Sequence, residues 1–267
     1  MQFLSSIPLV VTSALVIFSP LQEGGTTHVA QMIIRFLILA WAGGALALSI
    51  RQGRLTIPLL SVRYFVLVFL GFAVIATMFS PYAHPSRQWL FTIICYATLF
   101  YLLVSFVDRW EHVHTLTIVV VLMGVGEAAL TILQGLVWND MRPSGTFFNP
   151  NFLAGYLAVS WAILLSAAVY GYRRTAALHW LPISPTLWWF GVGASLGSLF
   201  LAVLLTQSRG GMIVVLVATV FIVMARYGWK VAGSCLVLLM VGGLLIPTPL
   251  RERVQAEHQQ NPVSYAR

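Results

Sequence analysis

SGTFFNPNFLAGY, Ser144 to Tyr156, is where a chain otherwise made of apolar spans turns polar and aromatic, and it opens onto an uncharged run that continues to Tyr172. A segment with Asn149, Pro150 and Asn151 side by side is not lipid-facing helix. The residue before a proline is pushed away from the α region, while proline itself suits the first helical turn, so helix is expected from about Pro150 with Asn149 as N-cap. Phe152 to Tyr172 is then long enough to cross a bilayer. That sets a helix N-terminus at one water interface, with free backbone N–H groups and the positive end of the dipole, an end that suits an anion.

The rest of the chain agrees with this setting. Of its 267 residues 59% are hydrophobic and 8% charged, with a mean hydropathy of +0.89, which excludes an ordinary soluble domain. The formal charge of +8 comes from 15 Lys plus Arg against 7 Asp plus Glu, Lys230 being the only lysine. Positive-inside loops account for most of the excess. No basic cluster interleaved with aromatics lies outside the apolar runs, so no nucleic-acid partner is expected. Cys95 and Cys235 both sit within apolar runs, where a thiol behaves as a small hydrophobe and carries no information about redox compartment.

The expected fold is all-α, a polytopic membrane helix bundle of about nine transmembrane helices. The first apolar run, Phe3 to Leu21, has no basic n-region before it and no small-residue cleavage site, and reads as a retained span. Further spans are expected at Val29 to Ile50, Tyr64 to Ser80, Trp89 to Val107, Leu116 to Val137, Phe152 to Tyr172, Leu187 to Gln207, Met212 to Tyr227 and Val231 to Pro247. The bundle thus occupies 1–247, and 248–267 is a polar tail that starts a loop outside the membrane. Arg51, Arg54, Arg63, Arg109, Arg173, Arg174, Arg226 and Lys230 follow the even-numbered spans, whereas only Arg87, Arg142 and Arg209 follow spans three, five and seven. The N-terminus is therefore expected in the cytoplasm, with the Asn-Pro-Asn segment and the tail outside; Arg251, Arg253 and Arg267 of the tail narrow the margin.

Arg209 is the sharpest single signal, a lone cation in Thr206-Gln207-Ser208-Arg209-Gly210-Gly211 between two apolar runs. An uncompensated Arg at membrane depth costs roughly 2.5–3.5 kcal/mol. Snorkelling to headgroups is one answer. The other is a cradle for a diphosphate or sugar oxygen, in which Ser208 and its neighbours add donors and the glycines allow close approach. Arg87 and Arg142 occupy the other charged outer loops and would extend a cationic face. Arg35 and Glu127 are the ionisable side chains well inside spans, either functional or paired across the bundle. Gly193 and Gly197 form a packing motif without functional specificity. The six histidines show no ligand spacing with an acidic partner, so no metal and no cofactor are expected.

GTFFNPNFLAGYL, Gly145 to Leu157, and LLTQSRGG, Leu204 to Gly211, one helical hairpin apart, resemble the two signature stretches of the O-antigen ligase family, which includes O-antigen polymerases and protein O-oligosaccharyltransferases. The resemblance implies the N-terminal part of a GT-C-like ligase fold in the bacterial inner membrane, a cell-envelope glycosyltransferase of lipopolysaccharide biosynthesis. Such an enzyme moves a glycan from undecaprenyl diphosphate to an acceptor hydroxyl, that of lipid A core or another, at the periplasmic face. It further implies that Arg209 and Arg267 bind and neutralise the diphosphate; Arg142, Asn149, Asn151, Ser208 and Arg87, expected on the same outer face from their place in the chain, are the candidate substrate-binding residues. Two guanidiniums on the leaving diphosphate leave no role for a metal.

Family members continue past the position of Arg267 into a large periplasmic loop, whose His is the expected base, and into further spans. His258 precedes the matching arginine and does not take that role. The expectation is an incomplete chain, or one that is inactive unless a second polypeptide completes it. A transporter is the alternative from a different class, suggested by the many spans, Glu127 and Arg35; its usual repeat halves are not visible.

Overall fold

The computed structural model describes residues 2–51, 53, 63–107, 109–171 and 184–244. They form α1 (Gln2–Leu21), α2 (His28–Arg51), α3 (Arg63–Met78), α4 (Ala83–Phe106), α5 (Trp110–Leu136), α6 (Pro150–Gly171), α7 (Pro185–Leu205), α8 (Arg209–Tyr227) and α9 (Trp229–Leu244). No strand of a sheet occurs among the described residues. Helices α2, α4, α5, α6, α7 and α8 are each long and apolar enough to cross a membrane. The shorter apolar helical stretches are Pro8–Leu21, Tyr64–Met78 and Trp229–Val241. The protein is thus a multi-pass, all-helical membrane protein. The expected tail, with Arg267, and the Arg173-Arg174 loop lie outside the described residues.

Several helices begin before the apolar pattern does, because hydropathy marks the membrane and not the helix end. Helix α4 starts at Ala83 and not at Trp89, which moves Arg87 from a loop into helix. Pro85 is no obstacle there, since N–H groups of the first turn have no acceptor within the helix. Helix α5 starts at Trp110, six residues before the apolar run, so His112 and His114 are helical. Helix α7 starts at Pro185 behind Ser184, whose side chain accepts from the Leu187 amide. Helix α8 starts at Arg209, with Ser208 as N-cap accepting from the Gly211 amide, so the expected turn is the first turn of a helix.

The chain divides into two compact units, Met1–Val120 and Val121–Arg267, with the division inside α5. In the first, Leu15, Ile38 and Cys95 join α1, α2 and α4 in a small apolar core. Arg35 is tied into it, one guanidinium nitrogen donating to Gln31 Oε1 at 2.9 Å and to Thr92 Oγ1 at 2.6 Å. The intramembrane arginine is therefore joined to a hydroxyl on α4 and not left to lipid.

The second unit is organised by α6, whose Leu153, Ala154, Leu157, Ala158, Trp161 and Leu164 are buried. Helix α8 presents Gly211, Val215, Thr219 and Val223, a stripe with a spacing of four that is buried throughout. Ala154 meets Gly211, Trp161 Nε1 donates to Thr219 Oγ1 at 2.9 Å, and the Tyr170 hydroxyl donates to the Ile222 carbonyl at 3.4 Å. Residue numbers rise together along both helices, so α6 and α8 run parallel and start at the same end. On the other flank Gly124 of α5 leaves no room for a methyl against Ser160 of α6. Small residues at these crossings let backbones approach where lipid offers no hydrophobic drive.

A Cβ at Gly211 would lie 2.6 Å from that of Ala154, closer than two carbons pack. Gly211→Ala is expected to destabilise the detergent-solubilised protein by about 1–3 kcal/mol, read as a lower unfolding temperature, and Ala154→Gly in the same chain is expected to restore part of it. An unchanged unfolding temperature in the single variant would contradict this packing.

Candidate functional site

The segment after α5 does not stay above the helix end. Thr146 meets Glu127, about two and a half turns below Leu136, so the segment folds back along α5 before α6 begins. Irregular backbone at such depth survives only where protein supplies its hydrogen bonds. Helix α5 supplies them from one face, with Glu127, Thr131 and Gln134 at spacings of four and three. Gln134 holds both backbone groups of Gly145: the Gly145 amide donates to Oε1 at 2.7 Å and Nε2 donates to the carbonyl at 2.9 Å. The Glu127 carboxylate, only 3% exposed, accepts from the Thr146 amide at 3.0 Å and from its hydroxyl at 2.6 Å. Thr131 donates its hydroxyl to the Glu127 carbonyl and completes the row. Gly145 has φ +60°, and a Cβ there would strike Glu127 Oε2. Glycine is therefore needed on two counts.

The same segment reaches the α7–α8 turn. Arg142 Nε donates to the Thr206 carbonyl at 3.2 Å and its Nη2 to Asn151 Oδ1 at 3.0 Å. Gln207, itself at φ +55°, donates through Nε2 to the Met141 carbonyl at 2.8 Å. The two stretches singled out in the sequence are thus joined through Arg142, whose side chain touches both. Asp140, whose carboxylate accepts from the Arg142 amide at 3.1 Å, is the acidic member of the cluster.

The two helix starts differ in what they leave open. At α6, Asn149 caps as its residue type suggests, its Oδ1 accepting from the Asn151 amide at 2.8 Å. Its carbonyl takes the amides of Phe152 and Leu153, and Pro150 has no N–H. The sequence-based expectation of free amides at this end is corrected: the cap uses them. At α8 the Ser208 amide donates to Thr206 Oγ1 and the Gly211 amide to Ser208 Oγ. The amides of Arg209 and Gly210 make no hydrogen bond among the described residues. The Arg209 side chain is exposed and likewise without a hydrogen bond there, and a Cβ at Gly210 would meet only open space. Of the two glycines, Gly210 leaves room beside the exposed cation and Gly211 admits α6.

Arg142, Asn149, Asn151, Ser208 and Arg209 therefore assemble at one end of the second unit. Arg87 belongs to the first unit, where its Nε donates to the Ala83 carbonyl at 3.2 Å. Arg267 lies outside the described residues. Sequence reading noted Glu127 without its partner and passed over Gln134. The available signal was their spacing of seven, which sets two polar side chains on one face of an otherwise apolar helix. No group of three or more His, Cys, Asp or Glu that could hold a metal occurs among the described residues.

Comparison with protein-family models, with curated proteins and with solved structures gives no match.

Removing a charged acceptor from a buried amide costs about 1–3 kcal/mol. Glu127→Ala is expected to speed hydrogen exchange at the Thr146 amide by about 5-fold to 100-fold, and Gln134→Ala to do so at Gly145. Unchanged protection at both amides would show that α5 does not hold the segment.

Proposed function

We propose that the protein is a membrane glycosyltransferase of the O-antigen ligase type, moving a glycan from undecaprenyl diphosphate to an acceptor hydroxyl at the periplasmic face of the bacterial inner membrane. The observation that carries the reading is the start of α8, where two backbone N–H groups and the Arg209 guanidinium make no hydrogen bond among the described residues and stand beside the Arg142 cluster. A diphosphate is the ligand chemistry that such a set suits. Its oxygens accept from adjacent amides at the positive end of a helix dipole, and a guanidinium adds a fork of two parallel bonds. The resemblance of Gly145 to Leu157 and of Leu204 to Gly211 to the family's signature stretches supports the same assignment.

In the transfer, the acceptor oxygen attacks the anomeric carbon and the bond from that carbon to the phosphate oxygen breaks. The bonding electron pair leaves with undecaprenyl diphosphate, and the hydroxyl proton passes to a base outside the residues named here. Charge grows on the bridging oxygen as the bond breaks, so donors already aimed at the diphosphate stabilise the transition state more than the ground state. Arg142, now bonded to Asn151 and Thr206, holds the two motif segments in register and stands ready as a second cation. Arg267 is the further diphosphate ligand that the resemblance supplies. Ligases, polymerases and protein O-oligosaccharyltransferases share this half of the reaction and differ in the acceptor. The intramembrane Glu127 is committed to Thr146, which favours this reading over a transporter using that carboxylate as a carrier.

The reading carries a topology of nine spans with a cytoplasmic N-terminus. Reporter fusions at Gly53, Arg174 and Tyr227 are expected to read cytoplasmic and those at Asn139 and Gln259 periplasmic; the opposite label at two or more sites would overturn the orientation.

Lys keeps the charge of Arg209 but loses the planar fork. In membranes carrying the protein as its natural gene encodes it, Arg209→Lys is expected to lower glycan transfer by about 100-fold or more, with insertion and expression unchanged. Transfer at the wild-type rate would make Arg209 a headgroup anchor and remove the support for the reaction.

A further inference from the structure

In the first unit a cavity of about 320 Å³ opens between α1 and α2, with walls that are almost entirely apolar. Its floor is cut by Ala40, Gly44 and Ala45, small side chains in successive turns of α2, and a Cβ at Gly44 would meet nothing within 4 Å. Pro8 of α1 forms the opposite side, and Trp41, packed on Phe106 of α4 with ring centroids 6.0 Å apart, closes another. Along α2 the lining runs from Leu37 to Leu48. Eleven residues of helix rise about 16 Å, which matches one leaflet of a hydrocarbon core roughly 30 Å thick. A helix with side chains, roughly 10 Å across, would fill about 1,250 Å³ over that length, several times the space there, whereas an alkyl chain is slender enough to lie in it.

The groove also has a charged end. Arg51, in the last turn of α2, stands three residues past Leu48 and seven past Gly44, on the stripe that lines the cavity. Its side chain is exposed and makes no hydrogen bond or ion pair among the described residues. An apolar slot one leaflet deep, with an exposed guanidinium about one helical turn beyond its last lining residue, has the shape and charge of one amphiphile. Water is unsuited to it, because a cavity without polar partners stays dry, and a peptide helix is too wide.

We propose that this groove is a binding site for an anionic bilayer phospholipid, one acyl chain lying along Ala40, Gly44 and Ala45 and the phosphate held by Arg51. The site does not depend on the transferase reading, since no residue of the α8 cluster takes part.

The test is native mass spectrometry of the full chain, delipidated in detergent and offered palmitoyl-oleoyl phosphatidylglycerol and phosphatidylcholine at equal concentration. The wild type is expected to retain one phosphatidylglycerol, with a preference of about fivefold, the size of one cation–headgroup attraction. Gly44→Leu fills the slot and is expected to reduce retention at least tenfold, and Ala40→Leu provides the same test if Gly44→Leu does not give a monodisperse protein. Leu46→Trp, on the opposite face of α2, is expected to retain lipid as the wild type does. Arg51→Gln is expected to keep a bound lipid but bind the two headgroups equally. Retention at the wild-type level by the groove-filled variant, or no lipid on the wild type, would overturn the site; an undiminished preference in Arg51→Gln would overturn its headgroup end.

Discussion

Backbone that leaves helical geometry inside a membrane protein needs its N–H and C=O groups satisfied by protein, and in the segment between α5 and α6 Gln134 does this for Gly145 and Glu127 for the Thr146 amide. Much else in the second unit follows from those bonds. Because Gly145 and Thr146 are drawn down along α5, Asn149 arrives where it can cap α6, and Pro150 can begin the helix without an orphan amide. The residues left above the fold-back include Arg142, which spans from Thr206 to Asn151. The buried carboxylate is committed to holding Thr146 and so helps to set the course of the segment on which Arg142 and Asn149 sit.

The second constraint is the parallel course of α6 and α8. Two helices that start at the same end set two positive dipole ends beside one another, and only Gly211 lets them approach as closely as Ala154 requires. Their caps then divide the work. Asn149 uses the α6 amides for itself, while those of Arg209 and Gly210 behind the Ser208 cap make no hydrogen bond among the described residues. The proposed diphosphate seat thus arises from an asymmetry between a cap followed by proline and a cap followed by Arg-Gly.

A good part of this was legible in the sequence. The apolar runs locate the helices, the Asn-Pro pair fixes the start of α6, and the isolation of Arg209 in a Ser-Arg-Gly-Gly turn marks the open helix end. What escaped was of two kinds. Helices begin at Ala83, Trp110 and Arg209, ahead of the apolar runs, because polar first turns continue beyond the apolar limit and local composition does not register them. Long-range pairs escaped as well. Nothing local links Glu127 to Thr146 or Arg142 to Thr206, and free amides at α6 were expected because the reach of the Asn149 cap depends on a backbone course that the sequence alone does not give. The glycines of the second motif read as room for a ligand, and one of them is room for a helix.

The central claim is that the start of α8 holds a diphosphate. The most direct measurement is the affinity of the purified protein for undecaprenyl diphosphate against undecaprenyl monophosphate, in wild type and in Arg209→Gln. The account expects the diphosphate to bind at least about tenfold more tightly, consistent with one added charge-assisted pair worth about 1.5–3 kcal/mol, and expects Arg209→Gln to remove most of that difference while leaving the monophosphate affinity nearly unchanged. Equal affinity for the two lipids in the wild type, or a preference that survives in Arg209→Gln, would contradict it.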